Sequence, residues 1–231
     1  MASLTCSFVS KASSRQRKGR GGRCQQGICY SLVSSARFDA LKDFQDPELL
    51  RTPLEELCLQ IKLLSNIPIG EFLSKAPSPP EKVAVRDAIL GLQRIGALDA
   101  SEQLTKLGFV LGKLPLEPRL GRMVILAISF GCLDPILNIV VSLGYRDPFL
   151  IPLDNKSRNE CNAAKLKFSG NTNSDHLCNI FALKEYENVV KSRRDGGVFS
   201  FCRKHHLSSS TMRMIYGMKK QVLDNLYTLR L

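Results

Sequence analysis

From Asp46 to Leu229 an apolar residue returns every three or four positions, and prolines, glycines and short hydroxyl side chains cut that rhythm into helix-length pieces. A sheet would alternate in twos, so the pattern predicts a mostly α fold. Leu54, Leu57, Cys58, Ile61 and Leu64 make one stripe, opened by Thr52-Pro53-Leu54-Glu55, which has the form of a capping box with Thr52 as N-cap. Val85, Ala88, Ile89, Leu92 and Ile95 make a second, and Gly96 stands where a left-handed stop is wanted. Between Ala97 and Leu116 the pieces shorten, with Gly108, Gly112 and Pro115 as punctuation. Two helices followed by short glycine-marked pieces suit a small winged-helix module, although periodicity fits a plain bundle equally well.

The second half repeats the theme with longer helices. Pro118 opens one through Leu120, Met123, Val124 and Ala127. Asp134-Pro135 reads as a cap and first turn, and the segment to Leu143 is almost wholly apolar, which predicts a helix buried on all sides. A loop from Tyr145 to Ser157, with Pro148 and Pro152, precedes a helix from about Arg158 to Phe168. Ser174 or Asp175 caps a helix to about Ser192, Gly196-Gly197 breaks the chain, a short helix spans Phe199 to Lys204, and Ser208-Ser209-Ser210 caps the last helix. No stretch approaches the roughly 18 to 20 apolar residues that a membrane span requires.

Charge is placed unevenly. Residues 1–38 hold seven Lys or Arg and no acid, leaving 26 of the 33 basic residues against 21 acids in the rest. Concentrated positive charge points to a polyanion, nucleic acid or nucleotide phosphate. The eight cysteines do not read as staples, because 231 residues with 44% hydrophobic content can build real cores. Cys58, Cys132, Cys178 and Cys202 fall inside apolar helical patterns, where a reduced thiol acts as a small hydrophobe. Cys24 and Cys29 lack the further ligands of a zinc site, so no metal is expected. A reducing compartment, nucleus or cytoplasm rather than an organelle, fits this usage.

The densest chemistry runs from Ser10 to Arg23. Composition allows three readings: a disordered basic tether, an organelle leader rich in Ser and Arg, or the Q-R-x-G-R-x-G-R pattern of helicase motif VI, which Gln16-Arg17-Lys18-Gly19-Arg20-Gly21-Gly22-Arg23 meets at every position. The third has a physical logic. Arg20 and Arg23, three apart, would leave one face of a helical turn, and Gly19 and Gly22 keep the backbone lean. Two permanently charged planar forks suit the charge that spreads over γ-phosphoryl oxygens in transfer.

The flanking residues decide between them. Arg51-Thr52-Pro53-Leu54-Glu55-Glu56-Leu57-Cys58-Leu59-Gln60-Ile61-Lys62, then Gly96-Ala97-Leu98-Asp99, Leu104-Thr105-Lys106-Leu107-Gly108 and Leu114-Pro115-Leu116-Glu117-Pro118 appear in order. Cys132-Leu133-Asp134-Pro135, Arg146-Asp147-Pro148-Phe149 and Ser174-Asp175-His176-Leu177 follow. Together they resemble the C-terminal part of DEAH/RHA ATP-dependent RNA helicases, nearest the RNA helicase A-like branch, over roughly residues 9 to 229.

The resemblance implies three parts: 1–36 as the end of a second RecA-like domain, a β-strand and helix carrying motif VI; 37–112 as a winged helix; 113–231 as a helical ratchet domain. It implies that Arg20 and Arg23 are arginine fingers, that Gln16 and Gly19 belong to the nucleotide contact, and that ATP with magnesium is the fuel. RNA is the implied partner, with Arg146, Phe149, Lys156 and Arg158 as the candidate contacts, Phe149 by stacking. The 231 residues contain neither a G-x-x-x-x-G-K-[ST] loop nor a D-E-x-H box, and no OB-fold is expected within them. Catalysis is therefore expected only together with a first RecA-like domain, and OB-fold contacts only from elsewhere. The alternative is a free-standing, non-enzymatic RNA- or protein-binding module. Asp175-His176 reads as part of a helix cap, His205-His206 as structural or exposed, and Arg203-Lys204 and Lys219-Lys220 as solvated faces.

Overall fold

The structure is a computed structural model that describes residues 7–150, 154–192 and 196–231, and it divides into two compact units. The first comprises residues 7–53 with 73–81. In it α1 (Lys11–Gly21) starts from Ser10, whose Oγ accepts from the Ser13 N–H at 3.2 Å. The Lys11 and Ala12 N–H groups, orphans of a first turn, donate to the carbonyls of Lys42 and Asp43, each at 2.9 Å. The short α2 (Ser35–Asp39) is capped by Ser34, and a 3-10 turn spans Glu48–Leu50. Neither helix nor the turn buries a single residue. The strand expected within 1–36 is not found among the described residues, and Met1 to Cys6 lie outside them.

The second unit, residues 54–72 with 82–231, holds the cores. α3 (Glu55–Leu64) packs against α5 (Lys82–Arg94) and α6 (Lys106–Lys113), and a short α4 (Ile69–Ser74), which the periodicity missed, lies between α3 and α5 in sequence. The chain makes two close approaches at glycines here, with backbone at Gly108, where glycine is required, and with a movable side-chain end at Gly112. A Cβ at Gly108 would collide with the Ala97 carbonyl, and one at Gly112 with the Leu63 side chain. Gly96 takes the left-handed stop expected of it, at φ +74°. Beyond it the chain doubles back in a single antiparallel bridge, Leu98 to Leu104, the only trace of a wing among the described residues in this half. Asp99 N–H donates to the Gln103 carbonyl at 2.9 Å, and Thr105 then caps α6.

Six further helices follow: α7 (Pro118–Ser129), α8 (Leu133–Leu143), α9 (Asn155–Phe168), α10 (Asp175–Lys191), α11 (Gly197–Lys204) and α12 (Ser209–Thr228). α8 packs against α7, α10 and α12 with Leu137, Val140 and Val141 fully buried, but it is not buried on all sides as its apolar sequence predicts, since Leu143 near its end is 49% exposed. Met212, Ile215 and Val222 of α12 and Leu183 of α10 complete the same core. Ser174 and Ser208 cap α10 and α12 through their hydroxyls.

Several local expectations give way to tertiary structure. Thr52 is no N-cap: its hydroxyl donates to the Glu48 carbonyl at 3.0 Å, α3 begins at Glu55 after Leu54, and Glu55 turns to Arg119 at 4.0 Å. The buried face of α3 runs through Cys58, Leu59, Ile61 and Lys62, leaving Leu57 and Leu64 exposed. Lys62 is buried because its ammonium reaches back to the carbonyls of Asn66 and Ile67 just past the helix end. Asp134 is likewise no cap, since α8 begins one residue earlier and the carboxylate serves a lysine on another helix. α9 begins three residues before the expected start, because Asp154 accepts from the Ser157 N–H at 2.7 Å.

Candidate nucleotide and nucleic-acid contacts

Gln16, Gly19 and Arg20 lie on α1, and the spacing of Gln16 and Arg20 places both on one exposed face. Arg23 does not continue that register. The helix ends at Gly21 with Gly22 as its cap (φ −106°, ψ 16°), so Arg23 sits in the following bend and is also exposed. The expectation that Arg20 and Arg23 share a helical face is thus corrected: two glycines in a row let the chain leave the helix between them. Ser13 and Arg17 of α1, with Arg37, Lys42 and Arg51, line an open cavity of about 480 Å³ whose lining takes in none of Gln16, Arg20 and Arg23. Its cations are partly committed. Lys42 binds both carboxylate oxygens of Asp46 at 3.1 Å, Arg51 donates to the Asp46 carbonyl, and Arg37 covers the Phe8 ring at 4.7 Å.

In the second unit, Phe149 is not available for stacking. It is buried at 5% exposure, its edge on Phe168 at 6.1 Å between centroids and the Lys165 ammonium 4.9 Å from its ring centre. Asp147 fixes this arrangement, accepting from the Phe149 N–H at 2.9 Å and from Lys165 at 3.1 Å. The strap is fastened on its other side as well: Leu150 N–H donates to the His206 carbonyl and Ser208 N–H to the Pro148 carbonyl, both at 2.8 Å. Phe149 is a core residue, and the stacking role expected of it is withdrawn. Arg146 is exposed, 5.8 Å from the Tyr145 ring, and Lys156 and Arg158 are exposed in the first turn of α9. These three cations flank the stretch 151–153, and the Pro152 of the expected loop lies outside the described residues.

The largest feature that the sequence did not show is an ion triad centred on a buried lysine. Lys219 of α12, expected on a solvated face, is 5% exposed and donates to Asp134 of α8 and Glu187 of α10, each at 2.7 Å. Burial alone would lower its pKa, but the hydrogen bonds and charges of the two carboxylates outweigh that and raise it. Its neighbour Lys220 is exposed, 4.4 Å from the Tyr216 ring. Asn138, one turn along α8 from Asp134, is buried with neither amide atom hydrogen-bonded among the described residues. His205 packs between Phe168 and Phe201, and His206 faces Glu160 at 3.7 Å, so both histidines have structural places.

Thiol chemistry is muted in the cores. Burial, aided by the negative charge of Glu55, pushes the Cys58 thiol up to about 12, and burial takes Cys178 to about 11. Cys24 and Cys29 are exposed free thiols. Among the described residues no group of three or more His, Cys, Asp or Glu is placed to hold a metal ion, and no helix is long and apolar enough to cross a membrane.

Residues 88–116 match the family model of the helicase associated domain (HA2), winged-helix, and residues 117–178 that of the helicase associated domain (HA2), ratchet-like. The chain is 47% identical over 221 residues to the DExH-box ATP-dependent RNA helicase DExH3 of Arabidopsis thaliana, covering 96% of this chain and 18% of that protein. It is 42% identical over 228 residues to the ATP-dependent DNA/RNA helicase DHX36 of Homo sapiens, covering 98% of this chain and 22% of that protein. The chain therefore spans about a fifth of the length of the curated relatives it matches.

Proposed function

The chain belongs to the DEAH-box RNA helicases, whose helicase-associated winged-helix and ratchet region it carries, and on that premise we propose that it forms part of the nucleic-acid path of an ATP-driven RNA helicase and supplies the arginines that reach the γ-phosphate. The observation that carries this reading is the identity of 42–47% across 96–98% of the chain to ATP-dependent helicases. In this reading residues 1–36 bring motif VI, 37–112 form the winged helix and 113–231 the ratchet.

The donor set suits a phosphate and nothing else in the reaction. Arg20 and Arg23 offer ten guanidinium N–H donors at most by general stoichiometry, roughly five each, and Gln16 adds an amide on the α1 face of Arg20. Leaving the helix at Gly22 lets the two forks approach one phosphoryl group from different directions rather than side by side. A magnesium ion would need carboxylate or hydroxyl ligands, which the side chains of Gln16, Arg20 and Arg23 do not provide, so in this reading a first RecA-like domain would hold it and the β-phosphate. Transfer of a phosphoryl group to water depends on positioning and charge, so the fingers act only when that cradle is present. Along the ratchet, Arg146, Lys156 and Arg158 meet phosphates of the strand, without a stacking contribution from Phe149.

The test joins this chain to an upstream segment bearing a P-loop and D-E-x-H box and follows RNA-stimulated ATP turnover. Replacing Arg20 and Arg23 together by Lys should lower turnover by about 10³-fold or more while RNA affinity holds, because a lysine keeps charge but not the bidentate fork. Unchanged turnover would overturn the finger assignment. The 231-residue chain alone should bind RNA and show no hydrolysis.

A further inference from the structure

α6 carries an outward face that the packing does not use. The helix packs on α3 and α7, burying Gly108 and Leu111. Lys106, Phe109 and Lys113 recur at i, i+3 and i+7, which brings them to one side of the helix, and all three are exposed, Phe109 at 46%. The Lys113 ammonium lies 4.2 Å from the Phe109 ring centre. No acid occurs anywhere in α6. The turn that leads into it carries Asp99 and Glu102, so the cationic character belongs to the helix and not to the turn.

We propose that this face is a contact for single-stranded nucleic acid, in which the Phe109 ring stacks a base and Lys106 and Lys113 neutralise phosphates on either side of it. The two lysines stand about 10 Å apart along the helix axis, which leaves room for one stacked base between two charge contacts. An aromatic ring bracketed by cations and free of acids suits a strand that offers a π-face and a negative backbone at once. A protein partner with an acidic apolar surface is the competing occupant, and it would leave nucleic-acid affinity indifferent to these residues. The proposal rests on nucleic acid being the ligand of this chain, but it uses none of Arg146, Lys156 and Arg158.

The experiment measures binding of fluorescent oligo-uridylate to the full 231-residue chain by anisotropy across a series of salt concentrations. Phe109→Ala should weaken binding by about 5- to 100-fold. The pair Lys106→Glu with Lys113→Glu should flatten the dependence of log affinity on log salt by about 1.4 or more, the share of two phosphate contacts on a single strand. Phe109→Leu, which keeps an apolar side chain on the helix, should reproduce the loss, and all variants should keep the parental melting temperature. A triple Arg146→Ala, Lys156→Ala, Arg158→Ala variant forms the parallel arm. If the triple variant loses affinity and the α6 variants do not, the α6 contact is overturned while the ratchet reading stands. If the α6 variants lose affinity and the triple variant does not, the reverse holds. A chain that binds no oligo-uridylate overturns both.

Discussion

Residues 7–53 bury no large hydrophobic side chain, whereas residues 113–231 bury a core even though they also expose Phe130, Phe199 and Tyr227. In the first segment Phe8, Ile28, Tyr30, Leu32 and Phe44 are all 63% exposed or more, and α1 and α2 bury nothing. In the second, Leu137, Val140, Val141, Met212 and Ile215 are 1% exposed or less. The residues proposed to meet a triphosphate thus stand on a segment without a core of its own. Exposed large hydrophobes on that scale call for a covering surface.

The largest effect that could break this contrast is in thiol protection. Cys24 and Cys29, both exposed, should react readily with maleimide, whereas Cys58, 0% exposed with its pKa pushed up to about 12, should react at least about 10³-fold more slowly, waiting on opening of the core around α3. Mass spectrometry of timed labelling reads both at once, and similar rates would mean the second unit opens as readily as the first. Next in size is Leu137→Ala on α8, which should cost about 3–5 kcal/mol in denaturant unfolding, against no more than about 0.5 kcal/mol for Leu32→Ala in the first segment. Equal costs would show that Leu32 is covered in solution.

Helix identity was legible in the sequence where it depended on local signals. The stop at Gly96, the caps at Ser174 and Ser208 and the core position of α8 all follow from one or two turns of chain. Caps that tertiary partners reassign were not legible. Asp134 looked like an N-cap because aspartate before proline usually is one, and only the fold brings Lys219 to it from 85 residues away. Lys219-Lys220 looked like a solvated pair for the same reason: nothing in two adjacent lysines says that one points between three helices. At the candidate site, the order Q-R-x-G-R-x-G-R was readable, but the place where α1 ends was not, since Gly21 and Gly22 both permit continuation and both permit escape. Phe149 was misread because a loop aromatic between basic residues looks the same whether it faces a strand or a core.

Lys219 offers the third test. Lys219→Met keeps the stem but leaves Glu187, 14% exposed, beside Asp134 without a cation, and should cost about 2–3 kcal/mol. The value sits below that of a fully buried triad because the Asp134 side chain is 67% exposed and water takes part of its charge. Adding Glu187→Gln should recover part of the loss, as a coupled pair does. The raised pKa sets the pH window: the triad's contribution is complete below the ordinary lysine value and disappears as pH rises through the higher folded one. Loss of stability without recovery in the double variant would reduce Lys219 to a packing residue.

The smallest effect concerns acid. It centres on His205, one of the chain's three histidines, a residue type that ordinarily titrates near about 6.5. Burial between Phe168 and Phe201 lowers the pKa of His205; Glu185 opposes this, and Lys204, Lys167 and His206 add to it. The folded state therefore holds His205 neutral at pH values where the unfolded chain takes up a proton. Its share of stability is complete above the unfolded value and falls as pH drops from there toward the lower folded one. His205→Phe preserves the aromatic packing and removes the proton uptake, so the difference in urea midpoint between variant and parent should grow in the variant's favour on acidification. A difference that stays constant across that range would show that His205 titrates alike in both states.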